Sequence, residues 1–289
     1  GIGGSDIACI MGLNPWKSAY ALYAEKHGDV EPEDLSNNEF VYWGTVLEQV
    51  VADRFCELTG KKVRKCGTLQ DESYEFMLAN VDRLVVGENA GLECKTANGF
   101  KSKDWDGDEL PDSYYCQCQW YMMITGCEKW YIACLIGGNH FVWKEIPRND
   151  EFISDMRAEA IIFWNNLQSD IPPEVDGSES TAATIDKMNK DKLAVDSIAL
   201  PSAAEQYIKR IDELTATKKV LEEQLGQAQN ALKLMLDGSK SGVFMDRKIT
   251  YIQIAGRVTL DKKALKKDLP DVYEKYAKVG KPSMRFTLK

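Results

Sequence analysis

The chain has 289 residues, with 36 Lys and Arg against 45 Asp and Glu, a formal net charge of −9, 44% hydrophobic residues and 8 cysteines. At about 150 residues per domain the length suits one large domain or one domain with an appendage, and the apolar content excludes wholesale disorder. No apolar run approaches the ~20 residues of a membrane span, no basic-then-apolar leader opens the sequence, and cysteines in apolar settings without a Cys-x-x-Cys pair point to reduced thiols in a cytoplasm rather than a secreted disulfide framework.

The charge is uneven. Residues 239–289 hold 13 Lys and Arg against 5 Asp and Glu, whereas residues 1–238 hold 23 against 40. A basic tail on an acidic body either binds phosphate locally or forms an ordinary solvated surface.

In chain order, Gly1-Ile2-Gly3-Gly4-Ser5-Asp6, without Met, reads as a fragment whose natural start lies upstream. Residues 4–12 are expected as a short helix capped by Ser5. A second helix covers 18–27 and stops at Gly28. A third covers 36–59 with Phe40, Trp43, Leu47, Val50, Val51 and Phe55 at mixed three- and four-residue spacing, and Gly60 ends it. The period then changes to strands at 62–69, 77–86 and 90–96. Helix returns over 112–125 and stops at Gly126. A hairpin follows, with strands 130–136 and 140–146 around Gly137-Gly138-Asn139, and a helix over 149–168 closes an α/β domain of residues 1–175.

A C-terminal extension, 176–289, follows Pro172-Pro173. Within it Tyr207, Ile211, Leu214, Lys218, Leu221, Leu225, Ala228, Leu232 and Met235 alternate four and three apart. That is a heptad seam on a long helix of about 201–237, built to pack on a partner helix from residues 185–195 or from another subunit. Residues 243–251 alternate as a strand, and 261–277 read as a short basic helix.

Three acids and one lysine carry candidate chemistry. Asp82 lies near the middle of an expected strand, and Glu93 and Lys95 share one face of the next, opposite Leu92 and Cys94. If the strands pair as a hairpin, Asp82 and Glu93 sit side by side. Adjacent carboxylates repel, and a hard divalent cation such as Mg²⁺ offsets that cost. The Cys94 carbonyl could add an oxygen, and the ammonium could orient a water or stabilise charge on a phosphate. Glu48 sits beside the apolar face of the 36–59 helix, and Gln117 and Gln119 ride on 112–125.

Taken with Gly3-Gly4-Ser5-Asp6 and Gly12-Leu13-Asn14-Pro15-Trp16, this series resembles the lambda-exonuclease family, the YqaJ-like phage recombinases of the PD-(D/E)XK nuclease superfamily, through residues 1–168. The resemblance implies a central mixed sheet flanked by helices. It implies that Asp82, Glu93 and the Cys94 carbonyl bind Mg²⁺, with Mn²⁺ as a substitute, and that Lys95 positions or activates the attacking water. Glu48 would reach the metals directly or through water, one or both of Gln117 and Gln119 would orient the lysine or a phosphate, and Ser5 would help bind a terminal 5′-phosphate. The pocket's arginine would lie upstream of Gly1.

The implied activity is a double-strand DNA exonuclease that runs 5′ to 3′, releases 5′-mononucleotides and leaves 3′ single strands for recombination. A structure-selective endonuclease and a catalytically inactive DNA-binding protein are the alternatives. The expected partners are duplex DNA ends, a single-strand annealing protein and further copies of the chain in a ring-like trimer. The setting would be a bacterial cytoplasm, with a phage or prophage gene.

Two departures from the family pattern stand beside the aspartate: Val81 replaces the proline before it, and Arg83 the small residue after it. Arg83 could reach DNA or pair with a nearby acid. The cysteine spacing disfavours an iron–sulfur cluster, His27 and His140 are too far apart in sequence to suggest a zinc site, and no phosphate-binding Gly-rich loop implies ATP use.

Overall fold

The computed structural model describes residues 1–108, 110–190, 197–280 and 283–288. Helices α1 (Gly4–Ile10), α2 (Ala19–His27) and α3 (Glu39–Thr59) precede four short strands, β1 (Val63–Lys65), β2 (Thr68–Gln70), β3 (Leu78–Asn80) and β4 (Arg83–Val85). Then come β5 (Ala90–Ala97), a 3-10 turn over Gly99–Trp105, α4 (Asp112–Thr125), β6 (Lys129–Ile136), β7 (His140–Pro147), α5 (Asp150–Gln168) and α6 (Glu179–Asn189).

A five-stranded sheet runs in the order β1-β4-β5-β6-β7. Its central pair, β5 and β6, is parallel, and the other pairings are antiparallel. Parallel neighbours need a crossover, and α4 supplies it. This is the mixed α/β sheet flanked by helices that the sequence implies.

One face of the sheet packs a large core with α1, α4 and α5, including Trp120, Trp130, Ile132, Met156 and Phe163. The other face meets α3 through Val51, Ala52, Phe55, Leu92, Tyr131 and Ala133. Close approach fixes Gly91 in β5, because a Cβ there would fall 2.2 Å from the Trp130 ring. Only the second half of α3 enters that core. Phe40, Trp43 and Val50, expected on its apolar face, are exposed.

Several local expectations change. The expected strands 62–69 and 77–86 each divide in two: β1 and β4 stay in the main sheet, while β2 and β3 form a separate two-stranded ribbon. Asp82 therefore sits at the break between β3 and β4 and not in mid-strand. The N-cap of α1 is Gly3, whose N–H donates to the Asp6 carboxylate at 2.9 Å, and Ser5 lies inside the first turn.

The described chain forms two compact units, Gly1–Leu193 and Ala194–Lys289. The division falls beyond residue 175 because α6 packs on the first unit, where the Thr181 hydroxyl donates to Ser18 Oγ at 2.8 Å. In the second unit, α7 (Ala204–Met235) carries the heptad seam and has no buried residue. Part of the candidate partner segment 185–195, residues 191–195, lies outside the described residues. The expected strand 243–251 is a hairpin of β8 (Ser241–Phe244) and β9 (Arg247–Thr250). The basic segment 261–277 is two short helices, α8 (Lys262–Asp268) and α9 (Pro270–Tyr276), which meet at Leu269-Pro270. Among the described residues no helix is long and apolar enough to cross a membrane.

Candidate active site

Strand alternation in β5 divides the candidate residues between two faces. Leu92 and Cys94 belong with the α3 core, and Glu93 and Lys95 face the side of α4. The register between β4 and β5 pairs Arg83 with Leu92. Continued by one step, it would set Asp82 opposite Glu93, but the ladder ends there. The Asp82 carboxylate instead accepts a hydrogen bond from the Cys94 N–H at 2.8 Å, so a side chain takes the place of a missing strand partner.

Glu93 is 3% exposed. Its Oε1 accepts from Lys95 Nζ at 2.6 Å and from Gln117 Nε2 at 2.8 Å. Lys95 also donates to Gln117 Oε1 at 3.0 Å and lies over the Tyr114 ring, 4.9 Å from its centroid. Gln117 thus uses both ends of its amide to hold the acid and the ammonium, and Tyr121 braces it at 2.7 Å. The other oxygen, Glu93 Oε2, is buried without a hydrogen-bond partner.

Burial pushes the Glu93 carboxyl up to about 7, with the Lys95 charge opposing and the Asp82 charge adding to the rise. Burial likewise raises Asp82, against the pull of the Cys94 N–H and of Lys95. For Lys95, burial acts downward, but the neighbouring Glu93 carboxylate outweighs it and holds the group above the usual lysine range as an ammonium. A buried acid and a half-buried one, both raised by desolvation and flanked by one fixed cation, store electrostatic energy that folding alone does not reward.

The donor set fits a hard divalent cation. A buried carboxylate oxygen without a donor beside a second carboxylate is the arrangement that such an ion relieves. Among the described residues, no three His, Cys, Asp or Glu side chains gather as a metal site. The carboxylate pair of Asp82 and Glu93, with the backbone oxygen of Cys94, are the candidate ligands.

Of the other expected residues, Glu48 lines one cleft with Asp82, and its charge adds to the rise of that carboxyl. Glu48 on α3 is ion-paired with Arg83, whose guanidinium also donates to the Asp82 carbonyl at 2.6 Å and to Gln49 Oε1 at 3.0 Å. Of its two possible roles, then, Arg83 pairs with an acid. Gln119 does not touch the lysine. It is fully buried, donates to the Pro147 carbonyl at 2.8 Å and accepts from the Asn149 N–H at 3.0 Å, which ties α4 to the turn before α5.

Ser5 is exposed on α1. Its neighbour Gly4 abuts Tyr121 and Gln117, where a Cβ would fall 2.6 Å from the tyrosine ring, so α1 is pinned to the glutamine of the site. Sequence reasoning missed Tyr114 and Tyr121 as parts of the site. Their spacing from Gln117, three before and four after, is the helical signal that would have found them.

Comparison with known proteins bears on the fold and the family. Residues 1–128 match the YqaJ-like viral recombinase domain. The uncharacterized protein YqaJ of Bacillus subtilis is 38% identical over 282 residues, 96% of this chain and 88% of its own. A shorter match, 43% identical over 61 residues, joins 20% of this chain to 17% of protein D345L of African swine fever virus. The crystal structure of an alkaline exonuclease from Laribacter hongkongensis shares the fold, with a TM-score of 0.50 at 18% identity over 58% of this chain and 88% of that one, and the same enzyme is known in complex with dAMP. Sequence identity along nearly the whole length and the shared sheet lead to one assignment: the chain belongs to the YqaJ-like viral recombinase family.

Proposed function

We propose that this protein is a metal-dependent exonuclease that degrades duplex DNA from 5′ ends, releases 5′-mononucleotides and leaves 3′ single strands. The observation that carries this reading is the unpartnered, buried Glu93 Oε2 beside Asp82, with Lys95 clamped two residues along the same strand. The fold shared with an alkaline exonuclease, and that enzyme's complex with dAMP, support a deoxynucleotide product.

Asp82, Glu93 and the Cys94 carbonyl would hold Mg²⁺, which when bound supplies charge stabilisation at the phosphate and a more acidic water. Lys95 contributes the third element. Glu93 and Gln117 take two of its three N–H donors, which leaves one for a phosphate oxygen or for the attacking water. Gln117 fixes the direction of that donor by gripping Glu93 and Lys95 together. Ser5, carried by the helix that packs on Gln117 and Tyr121, is the candidate contact to a terminal 5′-phosphate.

In the same reading the chain acts as a ring-like trimer around DNA and hands its 3′ strand to a single-strand annealing protein. Enclosure would explain how a protein of net charge −9 stays on a polyanion. The deciding experiment offers 5′-phosphorylated linear duplex and a covalently closed circle with Mg²⁺. Loss of the linear form alone, with mononucleotides released, is the expected result. Cutting of the circle would favour a structure-selective endonuclease, and digestion of neither would favour a DNA-binding protein without catalysis. Sedimentation of a monomer would remove the ring.

A further inference from the structure

We propose that α7 pairs antiparallel with α7 of a second copy of the chain, about a two-fold axis at Glu223, so that Lys218 of each copy lies against Ala228 of the other. This pairing is independent of the nuclease chemistry proposed above.

The helix offers a surface that the described residues of its own unit leave open. The heptad seam runs for roughly 42 Å at 1.5 Å per residue, and Leu221 and Leu225 at its middle are 58% and 59% exposed. The β8–β9 hairpin folds back on the end of α7 through residues outside the seam. Leu236 packs against Gly242, and Lys233 lies 5.7 Å from the centroid of the Tyr251 ring. Apolar heptads sustained over about four repeats mark a helix that pairs along its length.

The orientation of the partner follows from one charge and one small side chain. Along the seam Lys218 is the only charged residue, and Ala228 the only small one. In a parallel pair, or a parallel bundle of three, like positions share a layer. Lys218 would then stack on Lys218, and the facing alanines would leave a gap: a repulsion in one layer and a void in another. Turning one helix about a two-fold axis instead sets residues equally far from position 223 opposite each other. Leu221 then faces Leu225, Leu214 faces Leu232, and Lys218 faces Ala228. The short alanine leaves room for the lysine stem, whose ammonium reaches solvent at the edge. A slide of one heptad would set Lys218 against Leu221 or Met235. A lone charge in a seam therefore fixes both orientation and register.

The flanks agree with this arrangement. Thr217 and Gln224 carry no charge on one side. On the other, Glu222 approaches Glu222 of the second copy beside the axis, and Lys218 of its own chain, 3.8 Å away, serves as its counter-ion. A two-fold contact does not close within a ring of three, so in a ring-forming protein it joins chains of different rings.

Sedimentation and cross-linking of the full-length chain test the pairing. An assembly with an even number of chains is expected, and a monomer or an isolated trimer would overturn the proposal. All eight cysteines lie at or before residue 134, so Leu214→Cys and Leu232→Cys each place a single thiol on α7, with the wild type as background. The two variants, mixed, dissociated by dilution and reconcentrated, should form a cross-linked heterodimer on mild oxidation. Neither should cross-link alone, because like positions would lie about 27 Å apart. Cross-links within one variant, or none in the mixture, would overturn the antiparallel pairing. Ala228→Glu separates the orientations by sign. Association should tighten about threefold or more, since each new carboxylate meets Lys218 of the other copy. A parallel pair would set two carboxylates in one layer, so weaker or unchanged association would contradict the proposal.

Discussion

The two units solve the problem of burial in opposite ways. In Gly1–Leu193 the large apolar side chains of β5, β6, α4 and α5 are enclosed on both faces of a sheet, and the candidate site is built into that enclosure. In Ala194–Lys289, Leu236 is the one buried apolar side chain among the described residues, and α7, roughly 48 Å long at 1.5 Å per residue, keeps Leu214, Leu221, Leu225 and Leu232 exposed. A rigid interior is what lets Glu93 be held buried with the partly exposed Lys95 close beside it. A narrow apolar seam left uncovered by the described residues of its own unit is suited to association. The proposed function places chemistry in the first unit and association in the second, and each proposal can be tested.

The largest effect belongs to the enclosed site. Glu93→Ala should lower turnover by ~10³-fold or more through loss of the ligand set, and Lys95→Ala by ~10²–10³-fold through loss of one preorganised donor. Single-turnover assays on linear duplex measure both. DNA binding should persist in each variant, because phosphate contacts elsewhere dominate affinity. Near-normal rates in either would remove that residue from the chemistry.

The next effect separates two glutamines on one helix. Gln119→Ala should cost about 1–3 kcal/mol of stability, because the Asn149 N–H and the Pro147 carbonyl lose a buried partner. Gln117→Ala should chiefly lower turnover. Denaturant titration alongside rate measurement reads both, and a reversal of the two outcomes would contradict the positions described for them.

These glutamines also show how much the sequence discloses. Alternation in Gly91–Lys95 put Glu93 and Lys95 on one face, and the glycine stops and strand runs gave the order of elements, because those signals are local. A Gln-x-Gln pair on a helix points two ways, and only packing says which glutamine meets the strand. The division of 77–86 into β3 and β4 was hidden because Leu78–Val86 is rich in apolar and β-branched residues and has no Gly or Pro to mark a break. The turn to a second ribbon is set by pairing with β2, which no single segment encodes. Arg83 was ambiguous for the same reason: its partner Glu48 lies 35 residues away on another element.

A smaller effect is expected from the open unit. Removing residues 239–289, with 13 Lys and Arg against 5 Asp and Glu, should weaken duplex binding and flatten its dependence on salt, since fewer counterions are released. The melting transition of the first unit should stay in place. An unchanged salt slope with a changed sedimentation coefficient would make the tail a structural clasp instead.

The smallest effect is a pH dependence within the first unit. Hydrogen bonds to Asp170 and Asp29, each 3.1 Å away, raise His27 above its ordinary value. A raised histidine adds stability that is complete below about pH 6.5 and is lost as pH rises through its folded value. Asp170→Asn should shrink that dependence, and NMR titration of the imidazole would show its pKa falling. A pKa unmoved by the substitution would contradict the pairing.

The central claim, that Asp82 and Glu93 form a metal-dependent hydrolytic centre, is tested most directly by Asp82→Asn. The amide oxygen can still accept from the Cys94 N–H, so the strand break and the fold are kept while the charge is removed. Release of mononucleotides from 5′-phosphorylated linear duplex with Mg²⁺ is the measurement. The account predicts no detectable release by a variant whose thermal transition matches the wild type. Release at the wild-type rate by a folded Asp82→Asn protein would contradict it.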